Sequence, residues 1–267
     1  MTDRPFPART GLMQCGRTVM AAFLAMLATD QVAHAATSTP ATQSVIVSYR
    51  STPAGRPALL HTLRDQLAPR LHALQAKGSL AHYRILFSRL ADANTWDAVL
   101  VLDFQNQAQA AAWRALDATM PAGLNVANET AVTSVESTPS DSIGSGGPAD
   151  GGADPVYMVI PYDYFVSTTD YTSYVRSYVF PQTDGWITAG ALNAYQLYVA
   201  RYAAGRTWMS LLILAYHGDD GLDRRNDVVA ATRKALAANP DWAARAAGKS
   251  HIRTEKAAMV ADLIAKG

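Results

Sequence analysis

His217 stands directly after the apolar run "LLILAY" and directly before "GDDGLD". An imidazole titrates near neutral pH, which is what a general base needs. Tyr83 and Tyr195 lie within strand-like runs, where a ring can pack while its hydroxyl finds a partner, or can line a cavity. Arg89 and Arg201 end those same runs, and a guanidinium there can cap a hairpin or hold a carboxylate. Tyr162, in "PVYMVIPYDY", is a further candidate pocket wall beside Tyr195, with Arg201 as an anion anchor. Each has a plainer reading: a surface histidine, core rings, solvated strand ends. His61, His72, His82 and His251 show no spacing that would hold a metal. "GDDGLD" resembles a calcium loop in composition but lacks the twelve-residue ligand spacing and closing Glu, so it reads as a polar loop starting the next helix. No GxSxG, Walker, Rossmann or HExxH pattern occurs, which removes the hydrolase, nucleotide and zincin readings.

These candidates come in pairs because the chain repeats itself. "TWDAVLVLDF" opens at Thr95 and "TWMSLLILAY" at Thr207, 112 positions later. At the same shift Arg64 meets Arg176, Pro69 meets Pro181, Gly78 meets Gly190, Tyr83 meets Tyr195 and Arg89 meets Arg201. A period this long points to a duplicated domain, since solenoid repeats run to roughly 20–50 residues. His217 departs from the pattern, its counterpart being Gln105. Positions shared by the copies are scaffold, whereas a single site would appear where they differ. Trp96 and Trp208, an even number of residues from Leu100 and Leu102 and from their partners Leu212 and Leu214, read as core anchors on the side of those leucines.

Each copy reads as strand, helix, strand, strand, helix, strand. "SVIVSYR" alternates as a strand does, and Leu60, Leu63, Leu67, Leu71 and Leu74 recur at helical steps up to Gly78. "HYRILFSR" and "WDAVLVLDF" form a hairpin across "LADANT", an Ala-rich helix follows, and "ETAVTSVES" is a final strand. The second copy offers "PVYMVIPYDY", a Tyr-rich helix from Thr169, "AYQLYVARY", "TWMSLLILAY" and the helix "RNDVVAATRKALAAN". A short strand around "SHIRTEK" and a terminal helix "AAMVADLIAK" complete it. Between the copies, 137–154 is almost all Gly, Pro, Ser and Asp, and reads as a flexible linker.

That order of elements is the ferredoxin-like βαββαβ unit, whose sheet carries helices on one face. Two copies can bury their other faces against each other. The expected fold is therefore α+β: unit 1 over 36–136 and unit 2 over 155–267, packed sheet to sheet as a pseudo-dimeric barrel within one chain. On this duplication and topology the chain resembles the dimeric α/β-barrel superfamily. That group includes antibiotic-biosynthesis-type monooxygenases, stress-responsive barrel proteins, NIPSNAP-like proteins and haem-binding relatives. The resemblance implies a strand-end histidine such as His217 as base or haem ligand. It makes haem a candidate cofactor that no residue pattern requires.

The first 35 residues read as an export signal. Arg4, Arg9 and Arg17 precede the apolar "TVMAAFLAMLA", too short to span a bilayer, and "AHA" ends the segment at Ala35. Its removal takes away Cys15, the single cysteine, so disulfides and thiolate chemistry are excluded from what remains. It leaves twenty basic and twenty acidic residues with no basic block, which argues against nucleic acid or an anionic membrane as partner. The leading expectation is a periplasmic or secreted barrel that holds a small, largely apolar molecule between its sheets. A cofactor-independent or haem-dependent oxidoreductase is the alternative, and an interaction module without a ligand is the third reading.

Overall fold

The computed structural model describes residues 43–125 and 131–267, and the export signal expected over 1–35 lies outside them. The described residues form one compact unit. Its strands are β1 (Gln43–Arg50), β2 (His82–Ser88), β3 (Ala98–Phe104), β4 (Ser134–Gly146), β5 (Val156–Tyr164), β6 (Leu192–Ala200), β7 (Ser210–Tyr216), β8 (Arg253–Glu255) and β9 (Met259–Lys266). The order is β7-β6-β4-β1-β3-β2-β9-β5, and β5 pairs again with β7. This closes an eight-stranded antiparallel barrel, with β8 attached to the end of β5. Closure removes every free edge of the barrel wall.

The first four strands lie in the order β4-β1-β3-β2, and β9-β5-β7-β6 repeats that order in the second half of the chain. Two seams, β4–β6 and β2–β9, join the halves. Helices cover the outside. In the first half these are α1 (56–76) and α2 (Gln107–Asp117). In the second they are α3 (168–188), α4 (Gly218–Asp223), α5 (Arg225–Leu236), α6 (Pro240–Ala247) and α7 (Lys249–Ile252). Both long helices widen into a π-helical turn, Thr62–Leu67 in α1 and Val175–Val179 in α3. In each, proline follows directly, Pro69 and Pro181, within the first turn of the next α-helical stretch. Proline has no N–H to give the carbonyl four residues back, and the wider turn accommodates that loss.

Strand alternation sorts the side chains into three cores. Leu59, Leu63, Leu67 and Leu71 of α1 pack on Val47, Ile85, Leu100 and Leu102. In the second half a tyrosine-rich layer, including Tyr162, Tyr171, Tyr174 and Tyr178, packs on Leu197, Leu212 and Leu214. The inward faces of both halves meet in the barrel interior, where Ile46, Leu86, Val99 and Val101 join Val159, Tyr198, Leu211 and Ile213.

Three expectations are corrected. The stretch read as a flexible linker begins inside β4: Ser137–Gly146 is strand, paired with β1 on one side and β6 on the other. Its polar residues belong there because Thr138 and Ser140 are small enough to point into the barrel, where both are buried. The terminal "helix" is strand β9, with Met259, Ala261 and Leu263 alternating into the interior. Trp96 and Trp208 are buried as core anchors, but in the interior with Val99 and Leu211, on the face opposite Leu100 and Leu212. Trp96 precedes the first residue of β3, so the alternation counted back from Leu100 does not reach it.

Candidate functional site at the polar mouth of the barrel

The interior is apolar towards the β2–β3 and β6–β7 hairpins and polar towards the other end. The polar end is built by the inward positions nearest the starts of β1, β2, β5 and β6 and the end of β3. Alternation along β2 sends Tyr83 and Ile85 outward to α1 and turns Arg84 and Leu86 inward. On β6 it sends Tyr195 and Leu197 outward and turns Gln196 and Tyr198 inward.

The inward polar groups form one network drawn from both halves. Arg84 Nη2 donates to the Tyr198 hydroxyl at 3.1 Å and to Gln196 Oε1. The Tyr198 hydroxyl donates to Asp103 Oδ1 at 3.2 Å, and Ser44 Oγ donates to the same oxygen at 2.6 Å. Ser44, Arg84, Asp103 and Tyr198 are all buried. Burial pushes the Tyr198 hydroxyl well above the ordinary phenol range, and the Asp103 charge pushes it further. For Arg84, burial works against the charge, but Tyr198 and Asp103 outweigh it and hold the guanidinium above its ordinary value. The Tyr157 hydroxyl is also raised by burial, with Arg84 and Lys266 opposing.

Above this network lies a cavity of about 620 Å³, bordered by Arg84, Asp103, Tyr157 and Gln196 below and by Arg176 and Lys266 at the rim. That volume suits a small organic ligand, for which pockets of roughly 300–1,000 Å³ are usual. The chain between β4 and β5 passes over the mouth and supplies part of the wall, from Gly147 to Asp150. Lys266 Nζ holds it through Asp150 Oδ2 at 3.0 Å, the Asp150 carbonyl at 3.1 Å and the Gly152 carbonyl at 3.4 Å. Its close approach needs glycine: Gly147 and Gly151 have φ near +77° and +80°, and a Cβ on either would collide with Asn193 or Tyr157.

The residues singled out from the sequence are not brought together. Tyr83 and Tyr195 border the cavity mouth, but their rings belong to the helix-side cores, and the Tyr195 hydroxyl donates to Asp184 at 2.8 Å. Tyr162 lies in the second half's helix-side layer instead of in a pocket wall. Its hydroxyl donates to Glu255 at 3.2 Å, and Arg253 lies 4.0 Å above its ring. Arg201 donates to Asp141 at 2.6 and 2.9 Å, and Arg89 to Asp262 at 2.8 Å and to Asp219, so both are engaged away from the cavity. His217 is exposed, leads into α4, and does not border the cavity. The lining also differs from the apolar wall expected, because its floor is charged.

The divergence argument applied to His217 would have found the floor. Arg84 and Gln196 are 112 positions apart and touch each other inside the barrel. At the same shift Asp103 answers to Ala215 and Leu86 to Tyr198. The last two pairs are apolar on one side and polar on the other, and the first sets a charge against a neutral amide.

Haem would need an axial donor held in a dry, apolar slot. Among the described residues every histidine is exposed, and His82, which borders the cavity, stands at its rim above a charged floor. This donor set does not fit haem.

No family model matches the sequence, and no curated protein matches it. Solved structures do match in fold. An anthrone oxidase-like protein aligns over 86% of this chain and 93% of its own at 7% identity, TM-score 0.56. A protein provisionally described as a monooxygenase from Fusobacterium nucleatum subsp. nucleatum ATCC 25586 aligns over 86% and 95% at 10% identity, TM-score 0.51. One similarly described from Lactobacillus acidophilus NCFM aligns over 85% and 96% at 10% identity, TM-score 0.50. These neighbours are dimeric α/β-barrel folds, and the likeness is one of fold.

Proposed function

We propose that this chain is an exported protein that binds a small molecule in the polar mouth of its barrel, each half being a tandem ferredoxin-like unit of a pseudo-dimer. The observation that carries the reading is the 620 Å³ cavity floored by Arg84, Asp103 and Gln196. A folded barrel of this size normally fills its interior with apolar side chains. Leaving buried polar groups around an open volume costs stability, and a bound ligand offsets that cost. Both halves contribute to the floor, so the site exists once per chain and not once per repeat.

A second reading is favoured by one observation. Asp103 is a buried carboxylate bordering the cavity, with Tyr198 and Ser44 holding one of its oxygens. Such a group can accept a proton from a bound substrate, the first step of cofactor-independent oxidation. The provisional names of the fold neighbours agree with that alternative.

Native mass spectrometry and an absorption spectrum of protein purified after export test the binding reading. A retained small molecule that is lost in Ala215→Phe, which fills the cavity from β7, is the expected result. An empty wild-type protein that also fails to bind any probe small enough for the cavity would refute it. Turnover that disappears in Asp103→Asn while ligand retention persists would move the assignment to the oxidoreductase.

A further inference from the structure

Resting on the binding reading, the chemistry at Arg84 also names the class of ligand. Several other arginines around the sheet have carboxylate partners, whereas the partly exposed Arg50 donates to the backbone carbonyls of Ala93 and Thr95. Arg56 pairs with Asp97, Arg89 with Asp262 and Asp219, Arg201 with Asp141, and Arg206 with Glu136. Arg253 has rings in their place, lying over Tyr162 and Tyr174. Arg84 is the more deeply buried, and the two acceptors of its Nη2 are neutral: an amide oxygen and a phenol. Among the described residues no carboxylate forms an ion pair with it: Asp103 acts on it through space, with the Tyr198 hydroxyl hydrogen-bonded between them. A buried guanidinium without a direct counter-ion is expensive, and such charges are ordinarily paired. Arg84 borders the cavity, from which a counter-ion can come. Arg176, which has no ion pair or hydrogen bond among the described residues, adds a positive charge at the rim, where Lys266 is already paired with Asp150. Gln196 occupies the position where a glutamate would complete the pair inside the protein.

We propose that the ligand is an organic acid, a carboxylate, sulfonate or phenolate on an apolar or aromatic body, whose anionic group is the counter-ion of Arg84. The body then lies in the upper cavity, and the anion points to the floor. An inorganic anion shares the charge but would leave most of the 620 Å³ unfilled.

Fluorescence titration with 1-anilinonaphthalene-8-sulfonate and with N-phenyl-1-naphthylamine, the same rings without the sulfonate, tests this. Wild type is expected to bind the sulfonate about 10-fold more tightly than the neutral probe, the worth of one charge-assisted hydrogen bond. Gln196→Glu puts a carboxylate against Arg84 with almost no change of volume. It is expected to erase that preference, the sulfonate losing more affinity than the neutral probe, and to melt no lower than wild type. Arg84→Met should erase the preference too, and Gln196→Glu carries the test if that variant does not fold. A wild type without preference, or a Gln196→Glu protein that keeps it, overturns the organic acid while leaving the binding site standing. Failure of both probes to bind wild type overturns both readings. Benzoate and inorganic phosphate serve as competitors: displacement by benzoate is expected, and displacement by phosphate alone would overturn the organic part of the assignment.

Discussion

The two ends of the barrel interior are built on the same strands and do opposite things. At the hairpin end Trp96 and Trp208 close the barrel, with Leu86, Leu211 and Met259 beside them, and Trp208 is 1% exposed. Two residues along β2 from Leu86, Arg84 opens the polar end, and two along β3 from Val101, Asp103 does the same. Register is continuous along β1–β3 and β2–β3, so pairing within the first half does not distinguish the two ends, although β2 shifts against β9 between Ile85 and Leu86 and β4 against β6 between Ser142 and Gly144. The difference lies in how each end meets its burial cost. Apolar rings at the plugged end gain free energy from leaving water, whereas the polar groups at the mouth recover theirs only through partners. A barrel closed at one end and polar at the other is a cup, and its polar floor is where a ligand has something to recognise.

The largest test of this contrast is Trp208→Ala. Emptying the plug removes a fully buried indole and should lower unfolding free energy by about 3–5 kcal/mol, read as a shift in the urea midpoint. A loss below 1 kcal/mol would mean the plug is not what holds the interior together. Next is Asp103→Ala, which leaves Ser44 Oγ and the Tyr198 hydroxyl without their shared acceptor. It should cost about 2–3 kcal/mol, by the same measurement. A neutral or stabilising result would show that the floor is no more than a tolerated polar patch.

The third test uses pH. In the folded protein the Tyr198 hydroxyl ionises well above its ordinary value of 10.0, and Tyr49, Tyr162, Tyr174 and Tyr195 are likewise raised by burial. The unfolded chain therefore loses these protons first, so their contribution is intact below about pH 10 and declines as pH rises beyond it. Urea midpoints between pH 9 and 11.5 should fall, and Tyr198→Phe should flatten the decline by about 1.4 kcal/mol per pH unit. An unchanged slope would place Tyr198 outside the buried network. The smallest effect is expected from Lys266→Ala. Its ion pair with Asp150 is partly exposed, so the loss should stay under about 1 kcal/mol. Hydrogen exchange of the amides at 149–153 should nevertheless quicken, while those of β3 do not change. Equal exchange in both proteins would mean that the crossing segment is held by its glycine packing alone.

Much of the fold was legible in the residues, and the candidate site was not. "SVIVSYR", the leucine ladder of α1, both Thr-Trp hairpins and the helix at Arg225 lie where periodicity places them, because each pattern is local and strong. The segment 137–146 was unreadable as a strand because its composition is that of a loop. Its strand character comes from β1 and β6, which supply hydrogen bonds on both sides. "MVADLIAK" fits a helix and a strand about equally well over eight residues, and pairing with β2 and β5 decides for the strand. The site readings favoured strand-end histidine and arginine residues over mid-strand ones, because a charge in the middle of an apolar strand has no visible partner in sequence.

The sequence by itself determined the period of 112 and the order of the strongly periodic strands and helices, since these follow from spacing along one chain. It also carried the divergent pairs Arg84 with Gln196 and Asp103 with Ala215, although nothing in the spacing says that they meet. Only the closed barrel decided that Arg84 touches Gln196 and reaches Asp103 through Tyr198, on strands that are distant in the chain and adjacent across its interior. The physical reason is that a counter-ion, unlike a hydrophobic face, has no period. Whether a buried charge is paired depends on what the fold brings within about 4 Å of it, because the attraction that offsets desolvation weakens with distance.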